Sequence, residues 1–355
     1  MTTPDDIRER LAEIRPVGQR SDIVSLGMVT QLSFDRGRVT MHLRPGEMNP
    51  QVLQGLVAEI RRGIGALDGV TEVDVHVPGA QGAAAHAEAG PLPGVADILA
   101  VSSAKGGVGK STVAVNLACA LQQLGQRIGL LDADVYGPSM PLMFGLSERP
   151  RVVDQSRVFP LEKYGVKVIS MGFFLDDQSP VIWRGPLVTG LVRQFLRDVE
   201  WGELDVLVID LPPGTGDAQL TLVQQVALTG GLIVTTPQAV STLDVARGVA
   251  MFNQVNTPVL GIIENMSYYL CPKCGTREEL FGHGGGEYLS RACEVPLLAQ
   301  IPLVTELRQS GDSGKPLVVD LPQHPVSRAF FDLAGKVLDA MASVRTQAPA
   351  PRIVG

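Results

Sequence analysis

Cysteine is scarce in this chain: Cys119, Cys271, Cys274 and Cys293 are the four present among 355 residues. So few in so long a chain excludes a disulfide scaffold, and a reducing compartment would leave the thiols free to bind metal. No apolar run is long enough to span a bilayer, and the polar start from Met1 to Arg10 does not read as a secretory signal. The expected location is therefore cytoplasmic, with no membrane partner. An excess of basic charge is also missing. Lys and Arg total 30 against 37 Asp and Glu, a formal net charge of −7, which disfavours nonspecific nucleic-acid binding. No internal repeat is evident. What remains is an ordinary globular composition, 45% hydrophobic and 19% charged, with room for one large domain and a small one.

The most informative segment is Lys105-Gly106-Gly107-Val108-Gly109-Lys110-Ser111-Thr112. An apolar, β-compatible run, Ile98 to Ser103, precedes it, and a helical run from Ser111 to Leu124 follows. A glycine loop between a strand and a helix N-terminus is the setting of a P-loop. Glycines let the backbone N–H groups curl toward phosphate oxygens, and the helix end adds a favourable partial charge. Gly106, Gly107, Val108, Gly109, Lys110, Ser111 and Thr112 are the expected nucleotide cradle. Lys110 would reach the β and γ phosphates, and the Ser111 hydroxyl would bind Mg2+. Two further strands end in carboxylates. Leu130-Leu131-Asp132-Ala133-Asp134 places Asp134 beside the P-loop, and Leu207-Val208-Ile209-Asp210 gives Asp210 the Walker-B role of holding Mg2+ through water. The glycine-containing loop Pro212 to Asp217 follows Asp210 and can move when the γ-phosphate leaves.

Residues 1–77 read as a separate small α+β domain. A helix is expected over Pro4 to Ile14, strands over Ile23 to Phe34 and Arg38 to Arg44, and a helix after Asn49-Pro50 with apolar residues from Leu53 to Leu67. Alternating Val73, Val75 and Val77 give a last strand. Residues 78–94, rich in Gly, Ala and Pro, read as a flexible linker. Residues 95–345 alternate strands, at Ile128 to Asp132, Val166 to Met171, Val206 to Asp210, Leu232 to Thr236 and Val259 to Glu264, with helical stretches. That alternation predicts an α/β fold, a mostly parallel sheet covered by helices on both faces, with ligands at the carboxyl ends of the strands. Residues 346–355 read as a disordered tail.

Cys271-Pro272-Lys273-Cys274-Gly275 is the second informative site. Two thiolates two residues apart can grip one soft metal. A closed site needs four ligands, and Cys119 and Cys293 each lie in a helical, core-like context. A second copy of the same pair, from a second chain about a twofold axis, is the simplest completion. A bridging [4Fe–4S] cluster, a structural zinc and a dithiol redox motif all fit the pair.

Lys105 is a second lysine at the start of the P-loop, and here the sequence resembles the deviant Walker A motif of the MinD/ParA/nitrogenase-iron-protein class. That resemblance implies that Lys105 crosses a dimer interface to the partner's nucleotide, and that Asp134 orients the attacking water. With the Cys-x-x-Cys pair, the chain resembles the Mrp/ApbC family of iron–sulfur carrier ATPases over about residues 95 to 340. The residues that carry this are Leu131 to Ser139, Trp183-Arg184-Gly185-Pro186, Asp210 to Asp217, Glu264-Asn265-Met266-Ser267 and Phe281 to Gly286. The family implies a P-loop NTPase that uses ATP and Mg2+. It implies a homodimer holding a [4Fe–4S] cluster between subunits and delivering it to apo iron–sulfur client proteins. It also suggests that Asn265 contacts the adenine. The N-terminal domain resembles iron–sulfur assembly factors, best at Asp22 to Gly27. It has Arg15-Pro16-Val17 where that family usually has Asp-Pro-Glu, and it lacks the cysteine often found after the second strand. Docking to clients or assembly scaffolds is thus expected of it rather than metal binding. A positioning ATPase of the MinD/ParA kind and a cluster-based reductase are the alternatives.

Overall fold

The structure is a computed structural model that describes residues 3–16, 21–35, 37–44, 50–70, 72–76, 92–135, 137–153, 157–174, 185–214, 217–238 and 241–347. Most of the linker expectation, the Trp183-Arg184 and Thr215-Gly216 pairs and the tail beyond Gln347 lie outside the described residues. The chain forms two compact units, residues 1–86 and 87–355.

In the first unit, α1 (Pro4–Leu11) starts at a capping box in which Thr3 and Asp6 satisfy each other's orphan groups. Strands β1 (Val29–Asp35) and β2 (Arg38–Leu43) pair antiparallel, α2 (Pro50–Gly65) follows, and β3 (Glu72–His76) pairs parallel with β2. Ile7, Leu11, Ile23, Met41, Ile60 and Ile64 form its core. The first strand was expected to begin at Ile23, but it begins at Val29. The Asp22 carboxylate accepts the Val24 and Ser25 N–H groups and the Ser25 hydroxyl, and Gly27 turns left-handed at φ 64°, so Asp22 to Gly27 is a turn. Likewise α1 ends at Leu11, short of Ile14.

The second unit is built on one nine-stranded sheet. Its elements run β4 (Val95–Ser102), α3 (Lys110–Gln123), β5 (Ile128–Asp132) and α4 (Met140–Phe144), then a small hairpin of β6 (Arg151–Val153) and β7 (Arg157–Phe159). There follow β8 (Leu161–Lys163), β9 (Val166–Ser170), α5 (Gly185–Arg197), β10 (Leu204–Asp210), α6 (Asp217–Val223), β11 (Gly230–Thr235), α7 (Ser241–Gln254) and β12 (Val259–Leu270). The chain closes with β13 (Arg277–Glu278), α8 (Gly285–Cys293), β14 (Leu297–Leu303), α9 (Thr305–Ser313), α10 (Leu317–Asp320) and α11 (Pro325–Gln347).

Strand order is β13-β12-β11-β4-β10-β5-β9-β8, with β14 also paired to β12. All pairings are parallel except those of the short strands β8 and β13. From β4 the chain winds outward to β5 and β9 on one side, and to β11, β12 and β14 on the other. The carboxyl end of β4 is therefore the switch point at which an open α/β sheet binds its ligand. Burial on both faces follows from the period of two. Leu99 and Val101 join the cluster under α3 and α11, while Ile98 and Ala100 join the opposite cluster with Phe195, Val245 and Leu289. The apolar stripe of α11, Val326, Phe330, Leu333, Ala334, Val337 and Met341, is fully buried against its own unit.

Candidate functional site

The P-loop links β4 to α3. Gly107 and Gly109 are left-handed, at φ 82° and 80°. Gly109 is the residue before α3, and a Cβ on it would lie 2.2 Å from the Asn265 amide nitrogen. A side chain there would displace the Asn265 amide and would be strained by the left-handed backbone. Lys110 is the first residue of α3 and is buried. Its Nζ lies 2.6 Å from Asp210 Oδ1 and 3.9 Å from Asp134 Oδ2. The Ser111 hydroxyl donates to Asp210 Oδ2 at 2.6 Å. The four residues that sequence reasoning grouped around phosphate and Mg2+ thus meet at one point. Asp210 ends β10 directly beside β4, with Val101 as its register partner.

Lys105, by contrast, has an exposed side chain. Its backbone is fixed from beneath: the Ser103 hydroxyl donates to the Lys105 carbonyl at 3.0 Å, and Gly214 N–H donates to the Ser103 carbonyl at 2.9 Å. The loop after Asp210 is therefore bolted to the start of the P-loop. Gln219, buried on α6, adds a second bolt through Ser102 Oγ and the Pro212 carbonyl.

Asp132 is a residue that sequence reasoning passed over in favour of Asp134. It is fully buried at the end of β5. Its carboxylate accepts the Ser170 hydroxyl at 2.8 Å and the N–H groups of Asp134, Ser139 and Met140. It therefore shapes the loop that carries Asp134, whose own Oδ1 accepts Gly137 N–H. The signal was present, since an aspartate at the end of a buried strand must find donors. Burial, and then the nearby Asp210 carboxylate, push its carboxyl up to about 7, with the Ser170 hydroxyl pulling the other way. Burial also raises Asp210, opposed by Lys110 and Ser111.

A stability slope follows from Asp132. An aspartate in the unfolded chain titrates near 3.9, so between about pH 4 and 7 the folded chain holds a proton that the unfolded chain has lost. This group's contribution to stability therefore falls as pH rises through that window and levels off above it. Denaturant midpoints of the nucleotide-free protein, taken from pH 5 to 8, are expected to fall less steeply in Asp132→Asn than in the unsubstituted chain. Superimposable profiles would show that Asp132 stays ionised.

The thiol pair follows β12, which does not stop at Glu264 as expected but continues to Leu270 through an irregular register, with Met266 at φ 53°. β12 and β13 pair Tyr269 with Glu278 and Leu270 with Arg277, so Cys271 to Thr276 is the turn of a hairpin. The turn closes through Gly275 N–H to the Cys271 carbonyl at 2.8 Å and Cys271 N–H to the Thr276 carbonyl at 3.0 Å. Gly275 is left-handed at φ 71°. The Arg277 guanidinium lies over the Tyr268 ring at 3.9 Å and braces the stem. Cys274 is exposed and Cys271 half-buried. The Thr276 side chain and N–H hold the Cys274 thiol below its usual range, which favours the thiolate that binds metal. The other two thiols behave differently. Cys119 is fully buried, and burial pushes it up to about 12, while Cys293 packs at the core edge and is raised by burial. Among the described residues no group of three or more His, Cys, Asp or Glu side chains is placed to hold a metal ion. One chain supplies two thiolate donors, and a four-ligand site needs two more.

Asn265 lies on the same strand, between the P-loop and the hairpin. It is buried, and its amide nitrogen donates to the Val108 carbonyl of the P-loop at 2.8 Å.

Comparison with known proteins agrees with this geometry. Residues 94–338 match the ParA family described as NUBPL iron-transfer P-loop NTPase, and residues 4–75 match the family described as iron–sulfur cluster assembly protein. The chain is 48% identical over 280 residues to an iron–sulfur cluster carrier protein of Pseudomonas fragi, covering 78% of this chain and 97% of that one. It is 41% identical over 352 residues to the protein of the same description in Deinococcus radiodurans, covering 98% of each. Among solved structures it is similar to a nucleotide-binding protein of Archaeoglobus fulgidus in complex with ADP. The TM-score is 0.59 at 41% identity, over 68% of this chain and 93% of that one. The cell-division ATPase MinD of Pyrococcus furiosus shares the fold, with a TM-score of 0.52 at 23% identity, over 68% of this chain and 98% of that one.

Proposed function

This chain belongs to the NUBPL iron-transfer P-loop NTPase family, and from that premise we propose that it is an ATP-driven carrier that holds a [4Fe–4S] cluster between two copies of itself and hands it to apo-proteins. The cluster is cargo, and Mg-ATP is the fuel. The single observation that carries the reading is the pair Cys271, half-buried, and Cys274, exposed, in the hairpin turn that follows β12, the strand that touches the P-loop through Asn265.

The residues divide the work as follows. The N–H groups from Gly106 to Thr112 cradle the phosphates, and Lys110 neutralises the β and γ oxygens. Ser111 and Asp210, already hydrogen-bonded to each other, are the residues that would hold Mg2+. When nucleotide enters, Lys110 turns from Asp210 to the phosphates, and the Asp210 carboxylate so released would help hold Mg2+, which would supply positive charge at the phosphate oxygens. Asp134 orients the attacking water, a role supported by its lying 3.9 Å from Lys110. Lys105, exposed on a rigidly held backbone, reaches the partner's nucleotide. Asn265 braces the P-loop with its amide nitrogen, which leaves its carbonyl oxygen for the adenine. Four thiolates, two from each copy, complete the cluster's ligand set. The N-terminal unit docks clients or assembly scaffolds, and the site of action is the cytoplasm. No helix of the described residues is long and apolar enough to cross a membrane. The apolar stripe of α11 is spent on its own core, which removes the lipid-binding helix that a membrane-positioning ATPase would need.

Anaerobic reconstitution with iron and sulfide tests the proposal. The expected product is a brown dimer with about four iron and four sulfide per two chains, as four thiolates require. A strictly monomeric chain, or one that takes up no iron, would overturn the reading.

A further inference from the structure

Glu264 lies at a place in the fold to which neither the nucleotide chemistry nor the thiol chemistry assigns a task. It is 1% exposed, next to Asn265 on β12. A buried carboxylate needs donors, and Glu264 has three. The Ser267 hydroxyl donates to Oε1 at 2.5 Å, the Gln300 amide on β14 donates to the same oxygen at 3.0 Å, and Gly286 N–H donates to Oε2 at 2.5 Å.

These donors are not scattered. Ser267 is where the chain leaves the sheet core toward Cys271, and Gly286 is where it returns as the first turn of α8. The whole excursion that carries both thiols is therefore closed at its neck by one carboxylate. The return side is a tight fit. A Cβ at Gly286 would lie 2.8 Å from Glu264 Oε2, and one at Gly285 would lie 2.4 Å from the Pro237 carbonyl. The outgoing side is bent at Met266, φ 53°. The neighbouring residue, Asn265, grips the P-loop at the Val108 carbonyl, and nothing but the peptide bond separates the two contacts.

We propose that Glu264 is the positioning residue of the cysteine loop. It closes the neck of that loop and transmits the state of the P-loop to it. Nucleotide that shifts the Val108 peptide pulls on Asn265, and the strand carries the shift to the Glu264 clamp, which changes how far Cys271 and Cys274 stand open. The inference rests on the carrier reading for the identity of the cargo, but the coupling itself needs no cluster.

The test uses the reduced, cluster-free full chain. Alkylation rates of Cys271 and Cys274 by iodoacetamide are mapped by mass spectrometry, with and without saturating Mg2+ and a slowly hydrolysed ATP analogue. The unsubstituted chain is expected to change its rate about fivefold, the lower end of ordinary coupling between sites. Glu264→Gln, which puts an amide donor in a neck already full of donors, and Ser267→Ala are expected to bring that ratio to about one, while Glu264→Asp restores part of it. Cys119, fully buried, reports unfolding, because its alkylation marks a variant that has lost its core. If Glu264→Gln unfolds, the milder Ser267→Ala decides. An undiminished ratio in a folded variant, or an unsubstituted chain blind to nucleotide, overturns the proposal. A chain that binds no iron but keeps a nucleotide-dependent ratio overturns the carrier reading alone.

Discussion

Lys105→Ala is expected to lower the turnover number for ATP hydrolysis about a thousandfold, the lower end of what a cation supplied in trans contributes, with KM changed by less than about threefold. The asymmetry follows from where the two lysines stand. Lys110 is buried at the carboxylates of its own chain, and in the proposed function it serves ground-state binding and chemistry alike. Lys105 is exposed, and Ser103 and Gly214 fix its backbone so that only its side chain is free to reach out. A cation that arrives at developing charge from a neighbouring subunit stabilises the transition state more than the bound substrate. Subunit mixing separates trans from cis action. Lys105→Ala and Asp134→Ala chains are each inactive alone. Mixed equally, half of the dimers are mixed, and each has one complete site, so about a quarter of the unsubstituted rate returns. No return of activity on mixing would place Lys105 at its own chain's nucleotide, and a turnover number within threefold of normal would leave it without a catalytic role.

The double substitution Cys271→Ala, Cys274→Ala is expected to reduce iron bound after anaerobic reconstitution to background. Stability should move by no more than about 0.5 kcal/mol, because Cys274 is exposed, Cys271 is only half-buried, and neither belongs to a core cluster. Cys119→Ala makes the opposite pair of predictions. Iron uptake stays normal, since that thiol is buried and pushed up to about 12, whereas stability falls by roughly 1 kcal/mol for the lost packing. Iron and sulfide assays beside denaturant melts read both. Full cluster binding by the double variant would place the metal elsewhere.

The P-loop and the meeting of Lys110, Ser111, Asp134 and Asp210 were largely legible because their signals are local. A strand, a glycine loop and a helix start lie within one short stretch, and the aspartates end strands whose apolar runs are continuous. The parallel sheet was legible for the same reason. The cysteine hairpin was only half legible. Its Cys-x-x-Cys spacing and its glycine turn were plain, but the strand beneath it continues to Leu270 past a left-handed Met266, and no pattern in Glu264 to Tyr269 reveals that. Asp22 misled in the other direction. Ile23, Val24 and Leu26 have strand-like composition, yet one carboxylate with two backbone partners makes them a turn. Glu264 was missed because donors remote in sequence, Gln300 and Gly286, meet it only in the fold, whereas Asp132 was passed over although three of its four donors lie within eight residues of it.

The return strand β13 pairs just two residues with β12. So short a ladder costs little to open, and it opens at the rim of the sheet rather than in its interior. The tip can therefore breathe on a timescale set by local fraying, while the barrier to global unfolding stays with the buried strands. In the proposed function, handing over iron then asks for no loosening of the ATPase core, and in hydrogen exchange the amides of Arg277 and Glu278 should trade with solvent long before those of β4 and β10.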